Sequence, residues 1–195
     1  AGLPIESGGA TVNRLCGSSL QALNQAAHAI AAGFEDVQIV GGFEHMQHLP
    51  MDHGIDLNPK LFQRTSKGAL LMGVTAEFLA QTQDISRQDQ DAFALASHQK
   101  AIRATETGEF SEILPYAINE QLADLATDTI VTKSKTVSKD EGPRPDTSLE
   151  GLAKLRPVFA AKGSVTAGNS SQTSDGAGAV ILVSEKALKE FGLTP

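Results

Sequence analysis

Apolar residues recur at three- and four-residue spacing along residues 20–31, which is the spacing of one face of an α-helix. Gly33 follows this segment and fits the position where a helix ends. On either side, the runs "ATVNRL" (10–15) and "DVQIVGG" (36–42) have the composition of short strands. A strand, a helix and a strand in this order predict a βαβ unit, with a parallel strand pair and a right-handed crossover.

The middle of the chain has a different pattern. Residues 43–68 show no sustained period and predict an irregular loop. Residues 69–83 and 87–106 both have helical spacing, and Ser86 with Asp89 predicts a capping box at the start of the second helix. A long, mostly helical segment is therefore expected after the βαβ unit.

Two short runs beyond these helices, 112–116 and 129–134, have strand-like composition. A polar, proline-rich connection follows over residues 138–148. Thr147 and Glu150 predict a second capping box, at the start of the short helix "LEGLAKL".

The end of the chain returns to an α/β pattern. Residues 164–178 are small, polar and glycine-rich, and "AVILVS" (179–184) predicts a buried strand. Ser184 is then expected to cap a helix over residues 185–191. Strand and helix signals at both ends flank a long insert, so the pattern predicts an α/β fold class.

The composition is that of an ordinary globular protein, with 195 residues, 41% hydrophobic and 20% charged. The net charge of −7 argues against a nucleic-acid binder, because phosphate contacts need a basic surface. No segment approaches the roughly 20 apolar residues of a membrane span, and no signal peptide is visible. We therefore expect a cytoplasmic protein without a membrane span.

The single cysteine, Cys16, lies between the predicted strand 10–15 and the predicted helix. A helix N-terminus has unpaired N–H groups and a partial positive charge, and both favour a thiolate. Gly17 leaves room for a substrate beside the sulfur, and Ser18 and Ser19 can cap the helix. The position indicates a nucleophile, although a buried and inert cysteine fits the same pattern.

Four blocks, in this order, resemble segments of the thiolase family. They are "VNRLCGSSLQALNQAAHAIAAG" (12–33), "MGVTAE" (72–77), "PRPDTSLEGLAKLRPVF" (143–159) and "GSVTAGNSSQTSDGAGAVILVS" (163–184). The resemblance extends over essentially the whole chain, and four ordered blocks make it specific. The stretch "EHMQHLPMDHG" is most similar to bacterial 3-ketoacyl-CoA thiolases of the fatty-acid β-oxidation type.

The resemblance implies an acyltransferase that cleaves a 3-ketoacyl-CoA into acetyl-CoA and a shortened acyl-CoA. Cys16 matches the family's acylated cysteine. Residues 1–43 and 164–195 would form a discontinuous, incomplete α/β core, and residues 44–163 an inserted, mostly α loop domain that carries much of the coenzyme A (CoA) site. CoA is expected as a substrate, with no covalently bound cofactor.

The resemblance also implies five contacts with CoA. Met72 and Phe159 would line the channel for pantetheine and the acyl chain, and Ala167, Gly168 and Ser171 would lie beside the pantetheine. Core packing remains the alternative for the two large side chains, and a turn position remains the alternative for Ser171.

Leu71 stands where biosynthetic thiolases have a histidine, which favours the degradative subgroup. For the full-length protein, the resemblance implies a homo-oligomer, either a dimer or a tetramer. It also implies a trifunctional-type complex with a hydratase/dehydrogenase subunit.

Three family motifs are missing from these 195 residues: C-x-G-x-G, G-H-P and Asn-Glu-Ala-Phe. The histidines do not replace them; they are His28, His45, His48, His53 and His98. None of them has the spacing of a recognised zinc pattern, so no metal site is predicted. We expect this chain alone to have little or no thiolase turnover, and to expose apolar surface that promotes self-association.

Two alternatives stay open. One is a condensing enzyme of the β-ketoacyl synthase type, which also uses a cysteine at a helix start. The other is a non-catalytic module for CoA binding or assembly, which CoA binding without acylation of Cys16 would favour.

Overall fold

The computed structural model describes residues 2–195. In chain order its helices and strands are α1 (Ser18–Ala31), β1 (Val37–Glu44), α2 (Met72–Thr82), α3 (Arg87–Glu106), β2 (Tyr116–Asp124), β3 (Thr129–Val137), α4 (Leu149–Ala153), β4 (Gly176–Val183) and α5 (Glu185–Glu190). Three short 3-10 helices lie at Pro59–Gln63, Lys67–Leu70 and Ala167–Asn169. Among residues 2–195, no helix has both the length and the apolar character needed to span a membrane.

The chain divides into two compact units. The first unit runs to Gly54 and resumes from Thr173 to Pro195, and the second unit is Ile55–Gln172. The second unit is thus an insert within the first. The assignment of residues 44–163 to a loop domain of the thiolase type stays a prediction.

The first unit is built on one antiparallel strand pair. β1 pairs with β4 along its whole length, from Val37 opposite Val183 to Glu44 opposite Gly176. α1 packs on β1, and α5 begins after Ser184, whose hydroxyl accepts a hydrogen bond from the N–H of Ala187 as predicted.

The predicted βαβ unit is wrong. Residues 10–15 form no strand, and the described residues contain no parallel strand pair. Leu15 has a φ of 52°, a left-handed conformation that ends extended structure, and the chain turns there into α1. The apolar strand β4 pairs with β1 instead, and it comes from the far end of the chain.

The second unit contains the predicted helices. Residues 87–106 are helical as expected, and both hydrogen bonds of the capping box between Ser86 and Asp89 are present. The residue that each long helix buries is acidic: Glu77 on α2 and Asp91 on α3.

A long hairpin completes the second unit. β2 pairs with β3, with Tyr116 opposite Val137. The strand expected at 112–116 is misplaced, because β2 begins only after Pro115, which has no N–H to donate to a ladder. The cap of α4 is also one residue later than predicted, since the hydroxyl of Ser148, not of Thr147, accepts from the N–H of Gly151.

Both units leave large apolar side chains in solvent. Few apolar residues are buried, namely Ala26, Val40, Leu152, Val165 and Ala187. Strand residues such as Ile39 and Ile181 are more than half exposed, and so is Phe93 on α3. The prediction of a buried strand at 179–184 is therefore wrong, because most of β4 is exposed. The expected exposure of apolar sheet and helix faces agrees with the structure, while self-association stays a prediction.

Candidate active site

Cys16 is exposed and lies immediately before Gly17, the N-cap residue of α1. Cys16 lies within the turn that leads into α1. The N–H of Gly17 donates to the carbonyl of Arg14 at 3.1 Å, and the N–H of Ser18 donates to the carbonyl of Leu15 at 3.0 Å. The prediction that Cys16 stands at a helix start is therefore confirmed, but a turn and not a strand leads to it.

Two polar side chains hold this turn. Asn13 Oδ1 accepts from the N–H of Leu15 at 2.9 Å. Ser18 Oγ accepts from the N–H of Arg14 at 2.8 Å and donates to the carbonyl of Leu15 at 2.7 Å. The hydroxyl of Ser18 therefore faces the turn, and α1 begins without a side-chain cap, contrary to the prediction for Ser18 and Ser19.

The first turn of α1 lies against the carboxyl end of β1. A Cβ atom added to Gly42 would lie 2.3 Å from Ser19 Oγ, so the absence of a side chain at Gly42 permits this close approach. Gly42 thus leaves room for the hydroxyl of Ser19 beside β1.

A contact between Asp175 and His45 lies just beyond the same end of β1. Asp175 Oδ2 is 3.0 Å from His45 Nδ1, and Asp175 Oδ1 accepts from the N–H of Gln47 at 3.1 Å. The N–H of Gln47 first, and then the imidazole of His45, hold the pKa of the Asp175 carboxyl below its usual range. The ring of His48 lies 5.2 Å from that of His45. Within residues 2–195, no cluster of three or more His, Cys, Asp or Glu side chains could hold a metal ion.

The five residues predicted to contact CoA all belong to the second unit. Met72 begins α2 and is 66% exposed. Phe159 is 45% exposed, and its ring covers the next residue of the helix: a Cβ atom added to Gly73 would lie 2.3 Å from a ring carbon. The structure therefore brings Phe159 to the start of α2.

The segment of Phe159 is joined to the segment of the other three residues. The N–H of Val158 donates to the carbonyl of Val165 at 3.0 Å, and Pro157 forms a bridge with Thr166. Ala167 then begins a 3-10 turn. Gly168 lies in this turn against α4, where a Cβ atom would come within 2.5 Å of the side chains of Leu152 and Leu155. Ser171 follows the turn and is exposed.

Three polar residues that the sequence analysis did not select support this turn. They are Glu77, Asp91 and Asn169. Asn169 Nδ2 donates to Asp91 Oδ1 at 3.0 Å, and Glu77 accepts hydrogen bonds from the backbone of Ser164 and Val165. Glu77 closes the "MGVTAE" block, which was the only signal in the sequence, and nothing in the helical pattern marks Asp91 as buried.

Comparison with known proteins identifies a matching protein family. A family model described as "Thiolase, N-terminal domain" matches residues 1–186. The 3-ketoacyl-CoA thiolase of Aliivibrio fischeri is 51% identical over 195 residues, which are 99% of this chain and 48% of the relative. That of Vibrio cholerae is also 51% identical, over 196 residues, with 100% of this chain and 48% of the relative covered. The chain thus spans about half the length of the curated relatives it matches.

Solved structures agree. Human mitochondrial 3-ketoacyl-CoA thiolase superposes with a TM-score of 0.78 at 36% identity, covering 100% of this chain and 50% of the human chain. A structure of the same human protein in complex with CoA gives 0.78 at 36% identity, covering 100% and 49%. The acetyl-CoA acetyltransferase of Bacillus anthracis gives 0.76 at 36% identity, covering 95% and 48%.

Proposed function

The chain belongs to the thiolase family, as its sequence blocks had indicated, and from this premise we propose that Cys16 is the nucleophile of a 3-ketoacyl-CoA thiolase. The observation that supports this most directly is the exposed thiol between a left-handed turn and the start of α1. Strained turns of this kind are concentrated at functional sites, and here the turn leaves the sulfur accessible beside a glycine.

The proposed reaction has two steps. The thiolate of Cys16 attacks the 3-keto carbon, the bond between C2 and C3 breaks, and the electron pair remains on C2, which takes up a proton as acetyl-CoA leaves. The thiolate of free CoA then attacks the thioester carbonyl, forms the shortened acyl-CoA and releases the thiolate of Cys16. In the family, a cysteine in the C-x-G-x-G motif handles the proton, and these 195 residues contain no such motif.

We propose that Met72, Phe159, Ala167, Gly168 and Ser171 bind the pantetheine and acyl portions of CoA. The contact of the Phe159 ring with Gly73 supports this role, because it brings Phe159 to the start of α2, where Met72 lies. The pairing of residues 157–158 with 165–166 also supports it, since it keeps the contributing segments adjacent.

Further properties of the whole protein are proposals from the family. They are CoA as a substrate only, a homo-oligomeric dimer or tetramer, a complex with a hydratase/dehydrogenase subunit, and a cytoplasmic location. The relatives named 3-ketoacyl-CoA thiolase support a role in fatty-acid β-oxidation.

The test is the intact mass of the 195-residue chain after incubation with a 3-ketoacyl-CoA, with Cys16→Ser as the matched control. We expect an adduct with the mass of the shortened acyl group in the wild type and none in the control. Treatment with free CoA should remove the adduct. We expect repeated turnover to be slow, because the family's motifs for proton transfer are absent from these 195 residues.

Other outcomes favour the alternatives. Binding of CoA with no adduct would favour a non-catalytic module. Acylation followed by condensation with malonyl-CoA, without release of acetyl-CoA from a 3-ketoacyl-CoA, would favour a condensing enzyme of the β-ketoacyl synthase type. Equal adduct formation by Cys16→Ser would contradict the role of Cys16 outright.

A further inference from the structure

Glu77 is a buried carboxylate, only 4% exposed, in the second turn of α2. Its two oxygens accept from the N–H of Ser164 at 2.9 and 3.0 Å, and Oε1 also accepts from the N–H of Val165 at 2.9 Å. A Cβ atom added to Gly163 would lie 2.0 Å from Oε1, so the backbone approaches the carboxylate directly. Glu77 therefore attaches the segment 163–165 to α2.

The turn that follows is held by a second set of bonds. Thr166 is fully buried, and its Oγ1 accepts from the N–H of Gly168 at 3.2 Å. Asn169 Oδ1 accepts from the N–H of Thr166 at 2.7 Å, and its Nδ2 donates to the carbonyl of Ser164 at 3.1 Å and to Asp91 Oδ1 at 3.0 Å. Asp91 is itself 4% exposed and accepts from Arg87 Nε at 2.8 Å.

These bonds orient the turn. The amide oxygen of Asn169 accepts a hydrogen bond from the N–H of Thr166, and its amide nitrogen donates one to Asp91 on α3. The side chain of Asn169 therefore faces the protein interior. Ala167, in the same turn, remains exposed, as does Ser171 just beyond it. The outward side of the turn thus carries proposed CoA contacts, while its inward side is bound to two helices.

From this arrangement we propose that Glu77 and Asp91 are positioning residues for the pantetheine-binding turn at residues 167–171, an inference that rests on the proposed function. α2 then has two roles in the same site. Gly73 receives the ring of Phe159, and Glu77, one helical turn further on, holds the turn that carries Ala167. A buried carboxylate is suited to this task because it accepts several backbone N–H groups at once, which no apolar side chain can do.

The test measures binding of two probes to the 195-residue chain by calorimetry: CoA, and adenosine 3′,5′-bisphosphate, which lacks the pantetheine arm. In Glu77→Gln, one acceptor oxygen becomes an NH₂ group that faces the N–H donors of Ser164 and Val165. We expect CoA to bind about 10-fold more weakly to this variant, while the affinity for adenosine 3′,5′-bisphosphate stays within about two-fold of the wild type.

Ser86→Ala is the matched control. It removes the cap of α3, in the same unit, without touching the turn, so it lowers the melting temperature but should leave the affinity for CoA unchanged. If Glu77 had a purely structural role, Glu77→Gln would weaken the binding of both probes equally, or Ser86→Ala would weaken CoA binding as well. Either result would overturn the proposal.

A second variant covers the case in which Glu77→Gln does not fold. Asn169→Ala removes three hydrogen bonds of the turn and leaves α2 intact, and it should weaken CoA binding selectively in the same way. If the wild-type chain binds no CoA, the proposed CoA site fails and this inference with it. If the wild type binds CoA and both variants bind it equally well, only the positioning role is wrong.

Discussion

Two turns carry the proposed chemistry, and they are supported in opposite ways. The turn that contains Cys16 is held by side-chain bonds between residues at most four apart, from Asn13 and Ser18. The turn at residues 164–169 is held by Glu77, Gln90 and Asp91 through bonds that span 74 to 88 residues. The first turn is exposed, and the second is largely withdrawn from solvent.

Because of this difference, we expect substitutions in the two turns to affect stability to different extents. The turn at Cys16 needs only its own short segment, so changes there should affect stability little. The turn at residues 164–169 depends on hydrogen bonds to α2 and α3, so a change there disturbs several of these bonds together. Stability should therefore be far more sensitive to substitution in the second turn than in the first.

The largest effect is expected for Gly163→Ala. The new Cβ atom would meet the carboxylate of Glu77, which cannot move without releasing its hydrogen bonds to Ser164 and Val165. We expect the free energy of unfolding, measured by urea denaturation, to fall by about 1–3 kcal/mol.

Gly42→Ala is the matched control in the other unit, because its Cβ atom meets only the Ser19 hydroxyl, which can rotate away. A loss from Gly42→Ala as large as that from Gly163→Ala would remove the contrast between the two turns.

We expect Leu15→Gly to raise the free energy of unfolding, and by less than Gly163→Ala lowers it. Leu15 is 82% exposed and has a φ of 52°, so its side chain contributes little burial while its backbone conformation is unfavourable. Glycine relieves that cost but adds chain entropy to the unfolded state, and the net stabilisation should be up to about 1 kcal/mol.

Leu15→Ala separates the two contributions, since it removes the same side chain and keeps the unfavourable φ. Its free energy of unfolding should not rise. A clear loss of stability in Leu15→Gly would mean that the side chain of Leu15 holds the turn, and that the local hydrogen bonds of Asn13 and Ser18 do not suffice.

The smallest effect concerns pH. The folded-state pKa of Asp175 lies below the value of 3.8 for an unperturbed carboxyl, so its stabilising contribution is present above that value and is lost as pH falls through the lower, folded-state pKa. Asp175→Asn should therefore melt below the wild type at pH 6, and the two melting temperatures should converge in acid.

His45→Gln refines this result. The N–H of Gln47 is the largest single cause of the lowered pKa of Asp175 and remains in this variant, so His45→Gln should reproduce only part of the loss seen in Asp175→Asn. Melting temperatures that differ equally at pH 6 and at pH 3 would contradict the assignment to the charge of Asp175.

Local patterns predicted the long helices well. The periodicity of residues 20–31 and the capping box of Ser86 and Asp89 correspond to α1 and α3, because helical bonds are made within a few residues. The comparisons also confirm that the chain belongs to the thiolase family and forms part of an α/β fold. Strands were less predictable: the run 10–15 forms no strand and ends in a turn, since nothing in a short apolar run states which strand will pair with it.

The candidate site could also be predicted only in part. Cys16 at a helix start could be found from the sequence, while the roles of Met72, Phe159, Ala167, Gly168 and Ser171 stay predictions. Glu77 and Asp91 could not be identified from the sequence, because acidic residues on helices usually face water. Only the tertiary structure shows that these two are buried and hydrogen-bonded.

The sequence by itself determined where the helices begin, which cysteine is poised at a helix start, and to which family the chain belongs. These depend on hydrogen bonds and side-chain preferences within a few residues, or on ordered motifs. Only the tertiary structure decided that β1 pairs antiparallel with β4, and that Glu77 and Asp91 hold a turn from far along the chain. Such pairings depend on which distant groups meet once apolar surface is buried and each buried N–H must find an acceptor.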